Sequence, residues 1–260
     1  MPHRLKLIVA YDGAPFAGWQ SQVSGETIQD RIEEALARIA KKKLRVHGAG
    51  RTDAGVHALA QCAHVDVPQR NMTADQWTAA LNAALPGSIR VMRCRYVSSS
   101  FHARFSAKGK TYRYRIWNDA ILPPLEVGRA WHVPAPLDCD AMAAAAQAFV
   151  GKHDFAPFAA SRGKSAKRTD SSDGEPEENT VRTVHSARLS RRGKCIILEF
   201  SGDGFLYKMV RLMVGALVQC GRGSVPRGAI EQRLARPAEP SELKRIVAPA
   251  GGLFLVRVGY

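Results

Sequence analysis

The chain has 260 residues, 45% of them apolar and 23% charged. These are ordinary globular proportions that exclude wholesale disorder and leave room for one large domain or two small ones. Lys and Arg number 38 against 23 Asp and Glu, a net charge of +15, which favours a polyanionic partner, most often nucleic acid.

In chain order, Leu5, Leu7, Val9 and Tyr11 alternate as a strand that ends at Asp12-Gly13. Thr27 opens a capping box with Asp30, and Ile28, Ile32, Leu36 and Ile39 follow at helical spacing. Lys41 to Lys43 then sit where the helix dipole favours cations. Leu44 to His47 reads as a short strand. Ala58 to Val67 reads as a second strand, with Ala63, Val65 and Val67 on its apolar face. Thr73 caps a helix with Gln76, and Trp77, Ala80, Leu81 and Ala84 form its stripe. Pro86-Gly87 stops that helix, and Ile89 to Val97 returns as a strand.

The second half is less regular. Lys110 to Trp117 alternates as a strand, Asp138 caps a helix running to about Val150, and Val181–Leu189 with Cys195–Phe200 form a hairpin around Arg191-Arg192-Gly193. Tyr207 to Cys220 is an apolar helix, Gly228 to Ala235 another, and Leu253 to Val258 a closing strand. Ser161 to Thr180 is polar and has almost nothing to bury, so it reads as a mobile loop. The expected fold class is α+β, two tandem ferredoxin-like βαββαβ halves at residues 1–105 and 106–260, with a joined antiparallel sheet and helices on one side. That expectation rests on the order of elements, because no sequence repeat is detectable.

The positive charge is clustered. No acid lies between Asp75 and Asp119, whereas Arg90, Arg93, Arg95, Arg104, Lys108, Lys110, Arg113 and Arg115 do. A second acid-free stretch, Gly204 to Ile230, carries Lys208, Arg211, Arg222 and Arg227. This arrangement suits a phosphate-contacting face better than a merely solvated one. No apolar run approaches the roughly 20 residues of a membrane helix, and Met1 to Ala10 is too short and too charged for a signal peptide. The five cysteines are odd in number, with no C-x-x-C, so a reducing cytoplasm is expected and a disulfide framework is not.

Chemistry concentrates in His47-Gly-Ala-Gly-Arg-Thr-Asp-Ala-Gly-Val-His57. Its glycines permit positive φ and close backbone approach, and they present Asp53 on a loop between two strands. It is neither a dinucleotide fingerprint nor a phosphate-binding loop with G-K-[ST]. Asp53 by itself is either an Asx-turn residue or a reactive carboxylate. Arg211 sits alone in a helix apolar nearly all round, where it either snorkels or needs an anion; Asp53 is one candidate. Such a pair would keep Asp53 ionised, as a nucleophile or base requires. Tyr112-Arg113-Tyr114-Arg115 alternates tyrosines on one strand face and arginines on the other, which suits base stacking with phosphate contact, although at least one tyrosine belongs in the core. His47, His57 and His64 lack the spacing of a zinc site, so no metal is expected.

Gly50-Arg-Thr-Asp-Ala-Gly-Val-His57 resembles the signature of the tRNA pseudouridine synthase A family. So do Tyr11-Asp-Gly13 with Phe16-Ala-Gly-Trp-Gln20, Phe101-His-Ala-Arg-Phe-Ser106 with Tyr112-Arg-Tyr114, and Phe205-Leu-Tyr-Lys-Met-Val-Arg211 with Gly215. The resemblance covers the chain except 161–180. It implies that Asp53 is the catalytic aspartate, that Tyr112 stacks on the target base, and that Arg211 pairs with Asp53. It further implies isomerisation of uridine to pseudouridine at positions 38 to 40 of the tRNA anticodon stem-loop, by a cytoplasmic homodimer. The reaction is redox-neutral and gains or loses no group, so no cofactor is expected. Arg51 and Arg104 are expected to contact RNA. The rival reading is an RNA-binding module without catalysis. Against it stands Asp53, because a carboxylate in an RNA-facing loop repels phosphate unless it does chemistry. A methyltransferase is a weaker third reading, since no cofactor fingerprint is present.

Overall fold

Leu5, Leu7, Val9 and Tyr11 are all buried, and they form one face of strand β1 (His3–Tyr11). In this computed structural model, residues 3–160, 179–226, 228–236 and 239–260 are described. The expected mobile stretch 161–180 therefore lies outside the described residues, apart from Asn179 and Thr180. The chain divides into two units, Met1–Lys110 with Phe254–Tyr260, and Thr111–Leu253. The secondary structure is mixed, with five α-helices and mostly antiparallel strand pairing among the described residues.

In the first unit β1 is followed by α1 (Ile28–Ala40), β2 (Val46–Gly48), β3 (His57–Val67), α2 (Ala74–Ala84) and β4 (Ile89–Val97). Both helix starts follow from their caps. The Thr27 side chain accepts from the Asp30 N–H, and Thr73 with Gln76 makes a complete reciprocal box. At Thr27 the box is altered: its hydroxyl donates to the Asp30 carboxylate at 2.5 Å. The helices bury Ile28, Ile32, Ala35 and Leu36, and Trp77 and Leu81, at a spacing of 3.6 residues per turn; Ile39, Ala80 and Ala84 of the expected stripes are half-buried. Lys41 ends α1 with φ +53°.

Strand β1 lies antiparallel between β3 and β4, with Leu7 opposite Ala63 and Cys94. Strand β2 adds antiparallel to one end of β3 (Val46 opposite Val65). The apolar alternation of β3 predicts one covered face, yet Cys62 and His64 are as buried as Ala63 and Val65. Successive strand residues point to opposite faces, so both faces of β3 are covered. Beneath the second face Ala49, Cys62 and Ala103 form a small core, packed by Ile8, Phe101, Val258 and Tyr260.

The second unit contains β5 (Gly109–Trp117), β6 (Trp131–His132), α3 (Cys139–Ala146), β7 (Gly151–Asp154), β8 (Val181–Arg192), β9 (Cys195–Gly202), α4 (Met209–Gly221) and α5 (Ala229–Ala235). β10 (Leu253–Gly259) follows and returns to the first unit, pairing parallel to β3 through Phe254 opposite His57. Strand order in the second unit is β5-β9-β8-β7, with β6 parallel to β5. The β8–β9 hairpin turns at Gly193, whose φ is +59°. Helix α4 is buried along most of its length. Segment 244–248 crosses it so closely that a Cβ on Gly215 would fall 1.9 Å from the Ile246 carbonyl oxygen.

Two expected helix boundaries shift. Helix α3 ends at Ala146 and tightens into a 3₁₀ turn, Gln147–Phe149, in place of a helix to Val150. Helix α4 starts at Met209, because Lys208 adopts φ +59°. The two short strands β6 and β7 were not legible in the sequence, being too brief to show a period.

Candidate active site

Asp53 sits on segment 49–56, between β2 and β3. The loop's backbone is held along its length. Trp19 N–H donates to Thr52 O at 3.0 Å, and Val56 N–H to Asp53 O at 3.1 Å. The Gln61 amide donates to Gly50 O at 2.9 Å, and the Thr52 and Tyr11 hydroxyls are 2.8 Å apart. With its main chain anchored at both flanks, the half-buried Asp53 side chain is presented from a fixed base.

Glycines make this bracing possible. Gly18 has φ +99°, and a Cβ there would lie 2.7 Å from Thr52 O and 3.1 Å from Ala54 N. A Cβ on Gly13 would strike Val56 O at 2.0 Å, and one on Gly48 the Trp19 indole at 2.5 Å. Gly55 turns the loop with φ +77°. The segment after β1 is thus pressed onto the Asp53 loop backbone to backbone. The sequence pointed to the glycines of the loop itself but not to Gly13 and Gly18 as its supports. Their signal was present as two glycines flanking Phe16 just before Trp19, without a partner to give it meaning.

His57 closes the loop. It is buried and stacked on Phe254 at 4.7 Å. Its Nδ1 lies 3.1 Å from both Gly13 N and Asp12 Oδ1. One ring nitrogen can serve only one of them: without a hydrogen Nδ1 accepts from Gly13 N–H, and in the tautomer that carries one there it donates to Asp12. Arg51 is exposed and its Nε donates to Gln20 Oε1 at 3.1 Å. Arg104, also exposed, is on the turn after β4, with its guanidinium 5.7 Å from the Phe105 ring centroid. Asp53, Arg51 and Arg104 are all in the first unit.

The other two expected site residues are in the second unit. Tyr112, on β5, is 8% exposed and makes an edge-to-face contact with Phe205 at 5.2 Å. Its neighbour two residues on, Tyr114, is the core tyrosine: wholly buried, its hydroxyl donates to Pro249 O at 2.7 Å. Burial pushes the Tyr114 phenol far up, and the positive charge of Arg211 opposes that shift. Arg211 on α4 is half-buried, and its Nε donates to Ala248 O at 2.7 Å while Ala248 N–H donates back to Arg211 O at 3.1 Å. The backbone of the segment after α5 thereby fixes the stem of Arg211.

Among the described residues no group of three or more His, Cys, Asp or Glu side chains is placed to hold a metal ion. The His47, His64 and His102 rings are neighbours, but Nδ1 of His64 and of His102 already accepts backbone N–H groups. Among the same residues no helix is long and apolar enough to cross a membrane.

A family model described as tRNA pseudouridine synthase matches residues 7–106 and 145–260. This chain belongs to that family. It is similar over nearly its whole length to proteins named tRNA pseudouridine synthase A. One from Akkermansia muciniphila is 43% identical over 258 residues, covering 99% of this chain and 95% of that one. The relative from Nitrobacter winogradskyi is also 43% identical, with the same coverage. A third, from Acetivibrio thermocellus, is 41% identical over 98% of this chain and 99% of its own. The matched stretches of the pseudouridine synthase model contain the Asp53 loop, the Arg104 turn and α4, and leave out Tyr112.

Proposed function

We propose that this protein isomerises uridine to pseudouridine in tRNA, at positions 38 to 40 of the anticodon stem-loop. In this reading Asp53 is the catalytic carboxylate, Arg211 its ion-pair partner, and Tyr112 the side chain that stacks on the target base. Arg51 and Arg104 contact the RNA. The observation that carries the proposal is the Asp53 loop, a carboxylate of a strongly basic protein held on a fully braced backbone. Family membership supplies the substrate class. The roles of Arg211 and Tyr112 rest on the family's motifs.

The chemistry matches these residue types. The N1–C1′ bond breaks, the base rotates, a C5–C1′ bond forms, and the proton on C5 leaves. Atoms and oxidation state are conserved, and the protein must supply an ionised carboxylate and a group to take the C5 proton. A guanidinium beside Asp53 would keep that carboxylate ionised at neutral pH. Unstacking the target uridine costs a few kcal/mol, which phosphate contacts and an aromatic platform offset. The proposal includes a cytoplasmic homodimer acting without a cofactor, and two ferredoxin-like halves whose sheets join.

The test is tritium release from tRNA transcripts carrying 5-³H-uridine, comparing the wild-type protein with Asp53→Asn. Release by the wild type alone supports the proposal, and mapping the product to positions 38 to 40 completes it. Intact tRNA binding without release would refute it in favour of a binding module.

A further inference from the structure

The turn between β4 and β5 is built to an unusual standard for a surface loop. Ala103, wholly buried, is held at both polar atoms: its N–H donates to His64 Nδ1 at 3.1 Å, and its carbonyl accepts from the Tyr260 hydroxyl at 2.8 Å. His102 Nδ1 accepts from the N–H groups of both Arg104 and Phe105, at 3.1 and 3.2 Å. The His102 N–H donates to Ser106 Oγ at 3.0 Å, and Ser106 N–H donates back to His102 O at 2.9 Å. Arg4 Nη1 donates to Phe101 O at 2.7 Å. Lys6 Nζ lies 3.8 Å from the centroid of the Tyr260 ring. Burial raises the Tyr260 phenol above its ordinary range, so it remains a hydroxyl donor.

All this order presents three side chains. Between Phe101 and Lys110 the exposed residues are Arg104, Phe105 and Lys108. Phe105 is 67% exposed, and one face of its ring rests on the His102 imidazole at 4.3 Å and 29°. Phe105 covers one ring face on His102 and leaves the rest in water, and it lies between two exposed cations in a stretch without a single acid from 76 to 118. A protein partner calls for a wider apolar patch than one ring. A nucleobase needs one aromatic face and nearby cations for the adjoining phosphates.

We infer that Phe105 is a base-stacking platform for an unpaired nucleotide of the bound RNA, backed by His102. The inference rests on the RNA-substrate reading above and adds a contact distinct from the Asp53 loop. Because the turn is ordered before binding, little entropy is lost when the base docks.

The test measures tRNA affinity by filter binding across a potassium chloride series, and KM by tritium release, for the full-length protein. The variants are Phe105→Ala, Phe105→Leu, Phe105→Trp and Arg104→Ala. Phe105→Ala and Phe105→Leu are expected to weaken binding about 5- to 150-fold, the span of single base–aromatic stacks, while Phe105→Trp stays within about twofold of wild type. Because stacking releases no counterion, the slope of log affinity against log salt stays unchanged in the Phe105 variants. It falls by about one in Arg104→Ala. Wild-type affinity in Phe105→Leu, with turnover intact, would overturn the platform and leave the proposed function standing. A change of oligomeric mass in place of RNA affinity would overturn it too, assigning the ring to a second copy of the chain. Loss of RNA affinity in Phe105→Leu alongside a wild type that turns over no tRNA would support the platform and sink the catalytic reading.

Discussion

Acidification should loosen the first unit through His64. The ring is 2% exposed and uses Nδ1 as an acceptor for Ala103 N–H, so protonating that atom forfeits the hydrogen bond and charges a buried group. Burial first, then the His102 and His47 rings and Arg4, push its pKa from 6.5 down to about 4; Asp66 acts weakly the other way. In the unfolded chain the ring titrates at its ordinary value, so the unfolded state binds the proton more readily. The His64 contribution is therefore complete above about pH 6.5 and is lost as pH falls toward 4. A shift of that size corresponds to about 3 kcal/mol, a large part of a small unit's stability. Urea unfolding from pH 7.5 to 4, followed by tryptophan fluorescence, should show wild type losing about that much more stability than His64→Gln. The glutamine retains an acceptor and cannot titrate. Histidine NMR should place one midpoint near 4. Parallel pH curves for the two proteins, or a His64 midpoint near 6.5, would refute the reasoning.

Further outcomes follow from the same contacts. Gly18→Ala should cost more than Gly25→Ala, because both have positive φ but only Gly18 faces backbone atoms within 3.2 Å. About 1 kcal/mol is expected at Gly25 and about 2–3 at Gly18 by thermal unfolding, with tritium release reduced only by the Gly18 change. Thr73→Ala removes the hydroxyl that accepts the Gln76 N–H and leaves the bond from the residue-73 N–H to the Gln76 side chain; it should cost about 1 kcal/mol in urea unfolding. Of the five free thiols only Cys139 and Cys220 are not buried, and burial lifts Cys94 to about 11. Disulfide-exchange reagents at pH 8 should label those two first and all five only in denaturant.

What could be read along the chain was what neighbouring residues decide. The Thr27, Thr73 and Asp138 caps and the period-two run of β1 are settled within a few residues, by steric and hydrogen-bonding rules that hold wherever the segment lies. The Asp53 loop was legible too, because three glycines in a short stretch weigh against a continuous helix or strand there. The lone Arg211 in α4 was visible as an anomaly, but not its backbone anchor at Ala248, 37 residues away.

Distance in sequence marks the limit. Nothing near β3 says that its second face is covered. That burial is made by Ala49, Ala103, Val258 and Tyr260, residues that meet only when β10 returns to pair with β3. The same closure turns His64 into an acceptor for Ala103 and carries the Tyr260 hydroxyl to the opposite side of that residue. Local propensity can mark Phe101–Ser106 as a turn. Only the tertiary contacts make it rigid, because a buried backbone N–H or C=O must find a partner, and here the partners are His64 on β3 and Tyr260 just past β10.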